Sequence, residues 1–172
     1  MPELQLLRAD HGPAVLAFEI TNRSWFATSI SDRGDAYFEH FAAGFDALLT
    51  GQEAGAGAFY VLVADDGAVL GRFNLELAGD GVATLGYRVA EQATGRGVAT
   101  ETVRDLLSLA AERHSVRHVR AATSHENVAS QQVLLKAGFL PVGPADPSEI
   151  GGKQGTWYER DLRRARRSRA SS

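Results

Sequence analysis

Two Asp-Gly dipeptides, Asp66-Gly67 and Asp80-Gly81, separate three apolar runs at 58–64, 69–77 and 82–89. Asp-Gly between apolar runs is a strong short-range signal for a hairpin, because the tight turn that matches strand twist needs residues tolerant of positive φ. Three runs joined in this way predict an antiparallel meander. The rest of the chain must then extend or cover a sheet.

The flanking segments read accordingly. Residues 3–8 suit a first strand, and a helix starts at Pro13, since proline fits the first helical turn. Trp25 and Phe26 lie in a stretch without clear periodicity. Phe38, Phe41, Phe45, Leu48 and Leu49 recur at helical spacing within 32–49, with Gly51 as a stop and a glycine-rich loop over 51–57. After the meander, a loop at 91–97 leads to a helix over 98–113 with Val103, Leu106, Leu107 and Ala110 on one face. A strand at 118–122, a helix at 127–137 stopped by Gly138, and strands at 139–142 and 156–161 complete the order. The expected fold is α/β: a mixed, mostly antiparallel central sheet of about seven strands with about four flanking helices. One domain spans 1–161, and a basic tail, 162–172, is expected to be disordered.

Composition narrows the function classes. The 172 residues are 44% hydrophobic and 23% charged, and cysteine is absent. That excludes disulfides, thiolate metal sites and a covalent cysteine intermediate. No apolar run approaches the ~18 residues of a membrane span, and residues 1–30 show no signal-peptide core. A cytoplasmic protein without a membrane partner is expected. Six arginines and one aspartate from Arg160 onward give that end +5, which leaves residues 1–159 at −8 within the net of −3. An acidic body argues against a nucleic-acid partner and favours a cationic small partner.

Chemistry concentrates in residues 86–101, where a strand ends, a glycine-bearing loop turns and a helix begins. Gly95 and Gly97 allow positive φ and close approach of a ligand to the backbone. The first N–H groups of the following helix have no partner within it, and with the helix dipole they suit a phosphate or pyrophosphate. Arg96 adds positive charge. A P-loop would need Gly-Lys-Ser/Thr, whereas Gly152-Lys153 is followed by Gln154. A dinucleotide fingerprint would need a third glycine at position 100, which is Thr100.

Gln92-x-x-Gly95-x-Gly97 with Ala99 resembles the pyrophosphate loop of the GNAT acyltransferases. Leu85-Gly86-Tyr87, Gly97-Val98-Ala99-Thr100-Glu101, Asn127-Val128-Ala129-Ser130 and Lys136-Ala137-Gly138-Phe139 resemble its RimJ/RimL-type branch. The element order also matches, up to about residue 161. The resemblance implies an N-acetyltransferase that moves an acetyl group from acetyl-CoA, its co-substrate, to a primary amine by direct attack in a ternary complex. The acceptor would be a protein N-terminus or a small amine, and a homodimer is left open.

The same resemblance assigns residues. Coenzyme contacts fall on Tyr87, Arg88, Val89, Gln92, Gly95, Arg96, Gly97, Val98, Ala99, Thr100 and Asn127, with pantetheine in a gap between the strand ending near Val89 and the strand at 118–122. Ser130 would protonate the departing thiolate. Apart from the resemblance, Glu76, a carboxylate on a meander strand, is the candidate general base. Thr84 stands where relatives often carry Glu, which leaves the base in doubt. Asn127 and Ser130 also suit capping of the helix they begin. Trp25, Phe26, Tyr37 and Phe38 are candidates for an acceptor wall. His114 and His118 straddle a helix end and His125 sits in a loop, so no metal site is expected. The alternative reading is a domain that holds acyl-CoA as a sensor or docking unit without turnover.

Overall fold

The computed structural model describes residues 1–163. Seven strands form one sheet in the order β1-β2-β3-β4-β5-β7-β6: β1 (Glu3–Leu6), β2 (Gly57–Val63), β3 (Val69–Leu77), β4 (Val82–Val89), β5 (His118–Ser124), β6 (Leu140–Ala145) and β7 (Gly155–Asp161). Every neighbouring pair is antiparallel except β4 with β5. The meander is present, and its aspartates explain the turns. Asp66 Oδ1 accepts from Ala68 N–H and Asp80 Oδ1 from Val82 N–H, each at 3.0 Å, which stabilises the reversal locally.

Among the described residues, six α-helices cover the sheet: α1 (Gly12–Thr21), α2 (Arg23–Phe26), α3 (Asp35–Glu39), α4 (Phe41–Glu53), α5 (Val98–Arg113) and α6 (Val128–Lys136). Four of them span nine residues or more, and α2 and α3 are short. Strand β2 shows how the layers divide. Tyr60 and Leu62 join the core under α5 and α6 with Phe73, Leu75, Leu106 and Phe139. Val61 joins a second core on the opposite face with Val15, Phe18, Phe26 and Phe45. Alternate side chains of one strand thus feed two cores, so the strand reads as a continuous apolar run.

The helix expected over 32–49 is divided at His40 into α3 and α4. Asp32 is taken up in the preceding loop, where it accepts from Gly34 N–H at 3.0 Å and pairs with Arg23. The apolar spacing continues across the break, so periodicity alone reads one helix. Gly51 does not stop α4. Gln52, beyond it, donates to Leu7 C=O (3.0 Å) and accepts from Phe59 N–H (2.8 Å). Satisfying two strand backbones carries the helix on to Glu53. At the other end of the chain, Leu162 is buried in the first core and its N–H donates to Arg117 C=O at 2.9 Å. The arginine run from Arg164 lies outside the described residues.

Candidate active site

Strands β4 and β5 pair only through Val82–His118, Ala83–Val119 and Thr84–Arg120. Past Thr84 the ladder stops, and the sheet is split along residues 85–89. At both ends of β4, even-numbered residues bond to β3: Val82 C=O accepts from Ala78 N–H (3.3 Å), and Ala90 N–H donates to Leu70 C=O (2.8 Å). The register between them is unbroken. Leu85 N–H closes the last rung of the β4–β5 ladder, so the N–H and C=O groups of Tyr87 and Val89, with Leu85 C=O, face the split.

Two cavities meet there. One, of about 360 Å³, runs along the loop before α5. The other, of about 340 Å³, opens on the face of β3 and β4 that carries Arg72, Asn74 and Arg88. Tyr87, Arg88, Asn127 and Ser130 line both.

Gly97 occupies the N-cap of α5 with φ +75° and offers no side chain to cap it. From Gly95 to Thr100, six consecutive backbone N–H groups have no acceptor among the described residues. A Cβ placed on Gly95 or Gly97 would meet no atom within 4 Å. The loop thus combines unpaired donors, a helix N-terminus and open space, which suits a pyrophosphate. The residues expected to hold coenzyme all line this cavity except Gln92 and Arg96, which are exposed beside it.

Tyr87 Oη lies 2.8 Å from Ser130 Oγ and 3.3 Å from Ser130 C=O. The Tyr87 ring stacks on Phe73 with centroids 5.8 Å apart. Burial pushes its phenol up to about 12, against a smaller opposing effect of the Ser130 hydrogen bond. It therefore stays protonated at neutral pH. Asn127 is the cap of α6, its Oδ1 accepting from Ser130 N–H at 3.2 Å. Its amide nitrogen makes no hydrogen bond among the described residues, and it lines both cavities. Ser130 Oγ takes no part in capping.

A charge cluster that sequence reading missed borders the second cavity. Glu19 of α1 is 1% exposed and faces three guanidinium groups: Arg72 at 2.8 Å, Arg33 at 3.2 Å and Arg88 at 3.6 Å. Arg72 Nη1 also donates to Tyr37 Oη at 3.1 Å. Burial, then repulsion from Arg33, lowers the Arg88 guanidinium to about 10 despite the attraction of Glu19, so it remains charged at neutral pH. The one hint in the sequence is a charged residue inside an apolar run, Glu19 in 12–21 and Arg72 in 69–77. Among the described residues, the cavity is lined by Arg33, Arg72, Arg88 and Lys153 and by no Asp, Glu or His. The acidic character of the body therefore does not extend into the lining of this cleft.

Other candidates fall elsewhere. Glu76 pairs in register with Thr84 at the closed end of the β4–β5 seam, is exposed, and lines neither cavity. Trp25 and Phe26 line the coenzyme-side cavity, whereas Tyr37 and Phe38 line neither. His125 bonds Thr156 Oγ1 at 3.1 Å. His114 bonds Tyr60 Oη at 2.7 Å and His118 pairs with Glu159 at 3.2 Å, so the two do not converge. Glu126, exposed, pairs with Lys153 at 3.2 Å. Among the described residues, no helix is long and apolar enough to cross a membrane.

The sequence has no significant match among curated proteins. Solved structures are similar over nearly the whole chain. The ribosomal-protein-S5-alanine acetyltransferase of Vibrio fischeri is 17% identical, with 93% of this chain and 92% of that one covered and a TM-score of 0.84. RimJ of Mycobacterium smegmatis, solved with a coenzyme A disulfide, is 19% identical over 94% and 82%, with a TM-score of 0.82. A RimL ribosomal L7/L12 α-N-protein acetyltransferase in complex with coenzyme A is 20% identical over 93% of both chains, with a TM-score of 0.81. At these identities the likeness is one of fold. The model of the acetyltransferase (GNAT) domain matches residues 4–140, and the chain belongs to the GNAT family of acetyl-CoA-dependent N-acetyltransferases.

Proposed function

We propose that the protein acetylates a primary amine by direct attack, with coenzyme A along the α5 loop and the amine entering from the Arg72–Arg88 face. The observation that carries this reading is that both cavities end on one hydrogen-bonded pair, Tyr87 and Ser130. The RimJ and RimL structures similar to this chain support the RimJ/RimL-type branch.

Acetyl-CoA supplies an activated thioester, so no covalent enzyme intermediate is required. Asn127 offers its free amide N–H to the pantetheine arm, and the N–H groups of Tyr87 and Val89 face the split, where a donor can polarise the thioester carbonyl. Ser130 gives its proton to the departing thiolate and regains one through Tyr87, which holds the hydroxyl in place. With no Asp, Glu or His in either lining, the amine proton leaves to water. Three nearby guanidinium groups repel an ammonium ion and so favour the neutral amine that attacks.

The test is thiol release from acetyl-CoA with a panel of amines and N-terminal peptides, with acetylated product identified by mass. Tight coenzyme binding without acetylation of any amine would instead support a non-catalytic acyl-CoA sensor.

A further inference from the structure

The acceptor side of the cleft is unusual in its charge balance. Arg33, Arg72 and Arg88 gather around a single buried carboxylate, Glu19. The nearest acids on the adjoining loop and helix, Asp32 and Asp35, are both engaged by Arg23 at 2.8 Å, and Lys153 is already paired with Glu126. Among the described residues, the cluster therefore keeps two positive charges without a partner carboxylate. Buried charges are costly unless paired, and guanidinium is the side chain best shaped to hold carboxylate or phosphate.

Two further observations point to a ligand. Arg72 Nε and Ser124 Oγ are both buried without a hydrogen-bond partner among the described residues. Both residues line the cleft. Two lining residues thus have hydrogen-bonding capacity that the protein itself leaves unmet. The cleft is also bridged. Ser31 Oγ donates to Gly151 C=O at 3.3 Å, and Lys153 Nζ donates to Ser29 C=O at 3.2 Å. These contacts tie the segment after α2 to the β6–β7 loop across a cavity of about 340 Å³, a volume at the small end of ligand pockets.

We infer that the acceptor is a small amine that carries an anionic group, a carboxylate or phosphate, held by Arg33, Arg72 and Arg88 while its nitrogen reaches Ser130. The inference rests on the acyl-transfer reading for the nitrogen and on the arginine cluster for the anion.

Matched pairs separate the two. Amino acids are compared with their carboxamides, and phosphoethanolamine with ethanolamine, as acceptors with acetyl-CoA. The expected result is a kcat/KM about tenfold or more higher for the anionic member, consistent with charge-assisted hydrogen bonds. Arg33 lines only the second cavity, so Arg33→Gln should reduce that ratio by raising KM for the anionic member, with coenzyme A affinity by calorimetry unchanged. The carboxylate and phosphate arms identify which anion is used. Equal or better use of the neutral member overturns the inference while leaving acetyl transfer intact. Preference for an acidic N-terminal peptide over every free amine overturns the small-molecule assignment. If no amine is acetylated, calorimetry of the same anionic amines against the coenzyme-loaded protein decides. Binding lost in Arg33→Gln upholds the anion site without the transfer reading, and absence of binding overturns it.

Discussion

Tyr87 Oη lies 2.8 Å from Ser130 Oγ, so a phenol from β4 and a hydroxyl from the start of α6 meet where the strands part. Neither residue alone makes a proton path. Ser130→Ala should lower kcat about 10- to 100-fold with coenzyme affinity nearly unchanged. Tyr87→Phe should lower it by a similar factor, and the double variant should be little worse than either single one. Single-turnover kinetics on the three proteins is the check. Additive losses would mean that the two hydroxyls act independently.

Asn127 caps α6 and lines both cavities, and two substitutions separate the cap from the proposed coenzyme contact. Asn127→Ala should cost about 1 kcal/mol of stability through the lost cap and weaken coenzyme A binding. Asn127→Asp should keep the cap, since aspartate serves equally well there, yet still weaken the coenzyme through loss of the amide donor. A melt and a titration on each variant suffice. Full affinity in Asn127→Asp would remove the amide from the site.

Gly97 has φ +75° with open space around it. Gly97→Val should therefore cost stability through its backbone alone, roughly 1–2 kcal/mol, and abolish coenzyme binding because the side chain fills the space over the unpaired N–H groups. Unchanged coenzyme affinity in the folded variant would exclude the loop from the site.

The pH profile should carry the ionisation of the acceptor and not that of an enzyme base. Tyr87, raised to about 12 by burial, holds its proton at every pH below that value, so the donor is competent throughout the usual assay range and is lost only above it. The rising limb of kcat/KM should move when one amine is replaced by another of lower pKa. A limb fixed at one pH for all acceptors would reveal a titrating side chain.

Glu19→Gln should destabilise the protein by about 3–5 kcal/mol, because it leaves Arg72, 4% exposed, and its two neighbours without their shared carboxylate. Added phosphate should recover part of the loss. The thermal midpoint with and without phosphate measures both effects.

What sequence reading reached and missed divides on physical lines. The meander and the α5 loop are local: Asp66, Asp80, Gly95 and Gly97 act within a few residues of themselves. Helix α5 was placed at 98–113 from its own apolar face. The arginine cluster is not local. Glu19, Arg33, Arg72 and Arg88 converge only because Arg72 and Arg88 stand opposite each other in register while α1 lies over β3. Glu76 shows the same limit in reverse. Its residue type suited a base, but its place opposite Thr84 puts it at the wrong end of the seam. Total charge has a related limit, since the sum over residues 1–159 says nothing about which side chains line a cleft.

The split between β4 and β5 leaves one edge of each strand without a partner in the middle of a sheet. Only three residue pairs join the four-stranded half to the three-stranded half, so the seam is the weakest joint in the layer. A pantetheine arm lying along it would act as a missing rung, bonding to the amides that face it. Hydrogen exchange at the Tyr87 and Val89 amides should slow when coenzyme A binds, while the amides of Leu85, bonded to β5, and of Gly86 and Arg88, bonded to β3, should change much less.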